Sequence, residues 1–142
     1  MSGELLRAIL EKSSLDSNPA FYRLEHAFGA SVTRQEVSLQ LGRENYFLIM
    51  QLMPYKLDVF GVAVFGPLLA NSFQLVRSRN SQKFFSDATI GNLLGNNANY
   101  GYTMPEYWLL EPAETLTMII DPVNVVANQR VGMHFAGIEY RV

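Results

Sequence analysis

Short segments of alternating apolar and polar residues, each ended by turn residues, restrict the fold of this chain more than any other feature. Val37, Leu39 and Leu41 alternate with Ser38 and Gln40, and the turn sequence GREN follows. A period of two is typical of a β-strand with one buried and one wetter face. The pattern predicts about seven or eight short strands, among them residues 37–41, 46–52, 59–65, 72–76, 107–110, 115–120 and 131–140.

The spacing of these segments favours an antiparallel architecture. Turn signals recur about every ten residues, as in sandwiches and barrels. A parallel sheet would need a crossover helix between most strands, and the sequence has none. We therefore predict a mainly β chain with one antiparallel β-sandwich at residues 19–142, either jelly-roll-like or immunoglobulin-like. The strand from residue 46 should end at Pro54, and Gly61 should mark a bulge or close backbone approach.

The stretch LLEPAETLTMII predicts two strands joined by a tight turn. Pro112 fixes φ at the second position of the turn 111–114, so residues 107–110 and 115–120 should form a hairpin. The region from Arg77 to Pro105 is rich in Asn and Gly and has no sustained period. We expect a long loop there, with one helical turn near residues 87–94 capped by Asp87.

The first 18 residues have a different pattern. Residues 3–12 place four apolar side chains on one helical arc and charged side chains opposite, which predicts a short amphipathic helix. Such a helix is marginal alone, so its apolar face should dock on this domain or on a neighbouring copy. We treat residues 1–18 as an N-terminal helical arm whose expected interface residues are Leu5, Leu6, Ile9 and Leu10.

Composition excludes several classes of protein. The chain has 142 residues, no cysteine, and a formal charge of −2 with 17% charged residues. Disulfides, thiolate zinc sites and a cysteine nucleophile are excluded, which fits assembly in a reducing cytosol. The low charge is compatible with a surface covered by a partner and equally with a loop-rich β protein. We expect no targeting segment, because charged residues interrupt the apolar residues of the first twelve positions. We expect no membrane partner, because no apolar run approaches the ~20 residues of a spanning helix.

Candidate catalytic residues are few. His26 and His134 are the only histidines, and an ordinary metal site needs three or four ligands, so we expect no metal and no cofactor. No Gly-x-Ser-x-Gly nucleophile motif is present. The glycosidase acid and base are carboxylates, and three of these cluster near the turn: Glu106, Glu111 and Glu114. Their place at the turn predicts solvated side chains instead. The sequence therefore predicts a protein that is not an enzyme.

Two groups of side chains are candidates for contacts. Arg77, Arg79 and Lys83 could touch a nucleic-acid backbone, but the patch is small and the chain slightly acidic, which favours a solvated or intersubunit stretch. We expect no nucleic-acid partner. The second group is aromatic and is expected at an interface, although Trp108 alone would also suit the sandwich core; it consists of Tyr100, Tyr102 and Trp108.

The C-terminal stretch YWLLEPAETLTMIIDPVNVVANQRVGMHFAGIEYRV resembles small β-sandwich virion proteins of tailed bacteriophages, of the kind that decorate the head or line the neck and tail. The stretch SQKFFSDATIGNLLG adds weaker support. The resemblance implies a non-enzymatic virion subunit, assembled in the host cytoplasm, that binds its own copies and a neighbouring virion protein. In that setting the N-terminal arm would pack on an adjacent subunit. The alternative is a carbohydrate- or ligand-binding sandwich that uses the loop aromatics as stacking platforms.

Overall fold

The computed structural model describes residues 16–57, 60, 63–64, 72–85, 89–90, 102–122 and 129–141. Within these ranges the chain is mostly strand, with one turn of 3-10 helix at Arg79–Ser81. The strands are β1 (Asp16–Ala27), β2 (Gln35–Gln40), β3 (Asn45–Leu57), β4 (Ala63–Val64), β5 (Ser72–Arg77), β6 (Thr89–Ile90), β7 (Tyr102–Leu110), β8 (Thr115–Asp121) and β9 (Arg130–Arg141).

The strands form two antiparallel sheets that enclose one core. Sheet A has the order β1-β9-β3, and the far edge of β3 pairs with β7 and β4, while sheet B has the order β2-β8-β5-β6. This confirms the predicted mainly β, antiparallel fold. Side chains of alternating parity point inward from both sheets, as the period of two requires. Those of the common core include Leu24, Phe47, Ile49, Leu52, Phe73, Leu75, Leu110, Leu116, Met118, Ile120, Val131, Met133 and Phe135.

Most connections cross from one sheet to the other. β1, β3, β7 and β9 belong to sheet A and alternate along the chain with strands of sheet B. The predicted hairpin of β7 and β8 is therefore wrong, although the tight turn between them is present. β8 already has β2 on one side and β5 on the other, so it has no edge free for β7. A turn sequence specifies a chain reversal, and strand pairing is decided by the available edges.

A β-bulge interrupts sheet A near its middle. Ile49 pairs with Gly137 and Gln51 with Ala136, so Met50 and Gln51 together face one residue of β9. A Cβ built on Gly137 would lie 1.8 Å from the carbonyl oxygen of Leu48. Only glycine fits at that close approach.

Pro54 and Pro105 lie within strands, where the sequence analysis expects a strand end and a loop. The strand predicted to end at Pro54 continues to Leu57, and β7 begins at Tyr102 rather than at residue 107. Among the described strands, β7 pairs with β3 only up to Leu52 and β4 only from Lys56, which leaves no ladder beside Pro54 on that edge. Proline lacks a backbone donor and is tolerated at such interruptions.

The beginning of the domain also differs from the prediction. β1 occupies residues where the sequence analysis predicts no strand, and its first three residues, Asp16 to Asn18, fall within the range assigned to the arm. Thr89 and Ile90 are a short strand rather than part of a helical turn, and Phe60 lies in a turn instead of a central strand. The predicted helix at residues 3–12 and Tyr100 lie outside the described residues.

Candidate interaction surface

A buried ion pair fastens one corner of the sandwich. The guanidinium of Arg77 donates from Nε to Oε1 of Glu114 at 2.6 Å and from its terminal nitrogen to Oε2 at 2.8 Å. The two residues are only 8% and 5% exposed. Such bidentate geometry is the strongest form of an arginine–carboxylate contact. The ion pair therefore ties the end of β5 to the turn before β8.

Backbone groups complete the environment of the Glu114 carboxylate. It accepts hydrogen bonds from the N–H of Glu111 at 2.8 Å and of Arg79 at 3.2 Å. Burial opposes ionisation, but the hydrogen bonds from Arg77 and from these two N–H groups lower the pKa of Glu114 below its ordinary value. Glu114 was predicted to be solvated, and that prediction is wrong. We call Arg77, Glu114, Arg79 and Glu111 the corner clamp.

The corner also joins two turns that cross between the sheets. The N–H of Leu41 donates to the carbonyl of Glu114 at 2.9 Å, and the N–H of Ala113 donates to the carbonyl of Gly42 at 3.0 Å. Ala113 has φ of 62°, as the third residue of a type II turn requires. Because the turns bond to each other, the β2–β3 and β7–β8 connections form a single unit.

The corner clamp uses most of the basic patch that the sequence analysis considered for nucleic acid. Arg77 is buried against Glu114, and its guanidinium carbon lies 5.4 Å from the centre of the Trp108 ring. Arg79 forms an exposed ion pair with Glu111. Lys83 is exposed, and its backbone forms an isolated antiparallel β-bridge with that of Val76. The three cations thus do not form one open patch.

A buried glutamine holds the segment that carries Lys83. The side chain of Gln74 donates to the carbonyl of Phe85 at 2.9 Å and accepts from the Phe85 N–H at 3.1 Å. The ring of Phe84 lies 5.1 Å from that of Trp108. These contacts bind the segment after the 3-10 turn to the edge of β5, and they place Trp108 in a packed environment.

Two of the three residues of the predicted aromatic interface lie within the described residues. Tyr102 and Trp108 both lie on β7 and pack against the main core, where each is partly buried. This agrees with the core interpretation of Trp108. Neither ring therefore stands free in a loop as a platform for a glycan.

The outward face of sheet A carries a second apolar cluster. At its centre are Leu48 and Tyr140, which are 0% exposed and form a cluster separate from the main core. We call this group the outer cluster; the partly buried side chains around its centre are Tyr46, Met50, Tyr107, Leu109 and Ile138. An antiparallel sheet commonly packs one face on the core and exposes the other, which then carries mostly polar residues. Sheet A is unusual because both of its faces carry apolar clusters.

A hollow of about 280 Å³ lies at the bulge, beside the outer cluster. Phe21 forms one side of it and is 76% exposed, although it belongs to a regular strand. Phe21 lies opposite Ala136 in the pairing of β1 with β9. No side chain that lines this Phe21 hollow is charged; the lining residues are Phe21, Met50, Gln51, Thr103, Tyr107, Ala136 and Gly137.

The opposite end of the same face is polar. Tyr55 donates to Glu25 at 2.7 Å, and Arg130 lies 3.7 Å from the other carboxylate oxygen of Glu25. Burial raises the pKa of Tyr55, and the hydrogen bond to Glu25 raises it further. The centre of the His134 ring lies 5.0 Å from that of Tyr55. Burial lowers the pKa of His134, and the positive charge of nearby Arg23 lowers it further.

Neither a cluster of metal ligands nor a membrane-spanning helix occurs among the described residues. It contains no group of three or more His, Asp or Glu side chains arranged to hold a metal ion. It also contains no helix long and apolar enough to cross a bilayer.

Sequence reasoning missed Phe21 as an exposed residue, although a signal was present. Ala20 and Leu24 are buried and Tyr22 packs on the core, so the even positions of β1 face inward. Alternation then directs Phe21 outward. Because Phe21 is apolar as well, the stretch AFYRL does not read as a clean alternating strand.

Comparisons with known proteins find similarity only among solved structures. No protein-family model and no curated protein matches the chain. The VP2 subviral particle of infectious bursal disease virus matches 92% of this chain with 6% identity and a TM-score of 0.36, and the chain spans 33% of that VP2 chain. The disulfide-linked pili of Bacillus endospore appendages match over 92% of both chains with 8% identity and a TM-score of 0.35. Desmodium yellow mottle tymovirus matches 91% of this chain and 89% of its own, with 8% identity and a TM-score of 0.37. At these TM-scores the similarities establish neither a shared fold nor a shared function.

Proposed function

We propose that the chain is a non-enzymatic structural subunit of an oligomeric particle, a virion component of a bacteriophage, and that it self-associates through the Phe21 hollow. The observation that carries this proposal is the 76% exposure of Phe21 beside an uncharged hollow. Aromatic side chains next to concave apolar surface are typical of the centres of protein interfaces. In a self-assembling subunit, the surface that fills this hollow belongs to a second copy of the chain.

The strand order supports a particle subunit. Sheets with the orders β1-β9-β3-β7 and β2-β8-β5-β6 have the connectivity of a jelly roll, with β4 as a short addition to sheet A. Jelly rolls build many viral capsid domains, but they also build lectins and cupins. The topology therefore agrees with the proposal without selecting among these functions.

The placement of the polar residues points the same way. The acid and base pairs of the described residues fasten strands or turns to one another, as Arg77 and Glu114 do. The assignment to bacteriophage rests on the resemblance of residues 107–142 to tailed-phage virion proteins.

The test is the assembly state of a Phe21→Glu variant. Introducing a charge into the hollow should weaken self-association by roughly thirtyfold, the effect of removing one interface hot spot. Sedimentation velocity over a range of concentrations measures the change. Ser38→Glu adds the same charge to the exposed face of β2 and should leave association as it is. The proposal fails if the wild-type chain stays monomeric throughout, or if both variants associate like wild type.

A further inference from the structure

The first strand of sheet A forms one edge of that sheet. Among the described strands, β1 pairs with β9 alone. The four residues 16–19 are all exposed, whichever side of the sheet their side chains take, so this end of the strand is open on both faces. An edge strand of 12 residues is a long template for pairing with another chain.

The backbone groups that point to this edge can be identified. The N–H of Phe28 donates to the carbonyl of Gln129 at 2.9 Å, so Phe28 is directed toward β9. The carbonyl oxygen of Leu24 also lies on that side, 2.5 Å from a Cβ built on Gly132. Backbone groups alternate between the two sides of an antiparallel strand, and the pairing of β1 with β9 has no register shift. The odd-numbered residues therefore direct their N–H and carbonyl groups to the free edge.

Charge and shape vary along the odd-numbered residues of β1. Pro19 has no N–H to donate. Arg23 is exposed and forms no ion pair in the described part of the chain. Glu25 accepts one hydrogen bond from Tyr55 and lies 3.7 Å from Arg130. Because a carboxylate has about four acceptor positions, Glu25 can still accept from a further cation.

These features make β1 complementary to its own copy in an antiparallel arrangement. A two-fold axis at Leu24 places Arg23 of each molecule opposite Glu25 of the other. It also places the exposed ring of Phe21 opposite the small side chain of Ala27 and leaves Pro19 beyond the ladder. The four odd-numbered pairs then exchange two hydrogen bonds each, which gives about eight in all.

The neighbouring registers are poorer. An axis at Phe21 places Pro19 opposite Arg23, and the ladder then lacks a donor. An axis at Tyr22 has the same defect, because Pro19 then lies opposite Glu25. An axis at Arg23 or at Glu25 places two like charges directly opposite each other, which is destabilising.

We infer that β1 pairs edge to edge with β1 of a second copy about a two-fold axis at Leu24, so that sheet A continues from one molecule into the next. The backbone hydrogen bonds supply the affinity, and the Arg23–Glu25 pairs fix the register. A second copy is the occupant because the charges of β1 complement those of β1 itself. This contact lies at the edge of the sheet and goes beyond the proposed contact through the Phe21 hollow.

Charge reversal across the axis tests this pairing. Arg23→Glu makes both charge pairs Glu facing Glu, and Glu25→Arg makes both Arg facing Arg, so each variant alone should associate about tenfold more weakly than wild type. An equimolar mixture recovers two opposite-charge pairs and should associate like wild type. Arg141→Glu is the control, because it reverses an exposed charge of β9 outside the ladder. Sedimentation velocity at equal total concentration measures association, and urea unfolding shows whether each variant is folded.

The outcomes separate this inference from the proposed function. A wild-type chain that stays monomeric would overturn both. If wild type associates and the mixture of folded variants does no better than either variant alone, the edge pairing is wrong and the Phe21 hollow contact is unaffected.

Amide hydrogen exchange on the wild-type chain gives a readout that needs no substitution. The N–H groups of Phe21, Arg23, Glu25 and Ala27 should exchange more slowly as protein concentration rises, because the second copy then accepts their hydrogen bonds. Ser17 also points to the free edge but lies beyond the ladder, so its exchange should not change. Fast exchange at the four ladder positions in the associated protein would contradict the pairing and assign the association to another surface.

Discussion

The corner clamp and the Phe21 hollow belong to the same sandwich but are built from opposite kinds of side chain. In the corner clamp, Arg77 and Glu114 are charged and buried, and each satisfies the other. In the hollow, Phe21 is apolar and exposed, and no lining residue is charged. The charged pair therefore holds one corner of the sandwich together, while the hollow leaves apolar surface exposed. Residue type alone would have suggested the reverse, with the charged residues exposed and Phe21 buried.

The strongest test of this contrast removes the buried carboxylate. Glu114→Gln leaves the Arg77 guanidinium buried without a counter-charge, and breaking one half of a buried ion pair costs about 3–5 kcal/mol. Urea denaturation should show this loss in the free energy of unfolding. Glu111→Gln is the control, because its ion pair with Arg79 is exposed and exposed pairs contribute about 0–1 kcal/mol. Similar losses in both variants would remove the distinction between the buried and exposed halves of the corner clamp.

A second test perturbs the backbone that shapes the hollow. In Gly137→Ala the new Cβ would lie 1.8 Å from the Leu48 carbonyl oxygen, so the β3–β9 bulge must shift. We expect a loss of about 1–3 kcal/mol in thermal or urea unfolding, typical of overpacking. Gly29→Ala is a matched control, since nothing lies within 4 Å of its added Cβ. An unchanged stability in Gly137→Ala would mean that the bulge is not rigid.

The smallest effect concerns acid. The pKa of Glu114 is lower in the folded chain than its ordinary 4.5, so ionised Glu114 stabilises the fold above that pH. This contribution should decrease as pH falls below about 4.5 and through the lowered pKa. Unfolding free energy measured from pH 7 to pH 3 should fall more steeply in wild type than in Glu114→Gln. Parallel curves would show that other carboxylates dominate acid unfolding.

The strands with clean alternation could be predicted from the sequence, but their partners could not. The alternation of Val37 and Leu39, and of Leu116 and Met118, indicates strands that are present. Pairing depends on which edges are free in three dimensions, so the turn sequence at Pro112 predicts a hairpin that the fold does not contain. Mixed alternation hid β1, because Phe21 adds an apolar side chain to the outward face.

The corner clamp had a sequence signal that residue type concealed. Glu114 has the same parity as the buried Leu116 and Met118, and Arg77 has that of the buried Phe73 and Leu75. Parity thus directs both charged side chains inward. Each looks like a solvated residue when considered alone, and 37 residues separate the two in sequence. Only the fold shows that they meet.

The position of β9 has a consequence for how the protein is made. β9 pairs with β1 on one side and with β3 on the other, so the last strand of the described chain holds the first and third together. It also contributes Ala136 and Gly137 to the surface on which Phe21 lies. A ribosome releases the early strands first, and a nascent or prematurely terminated chain lacks the strand that completes this surface. Only a copy translated through β9 can present it, which would keep chains that lack β9 out of any assembly that uses it.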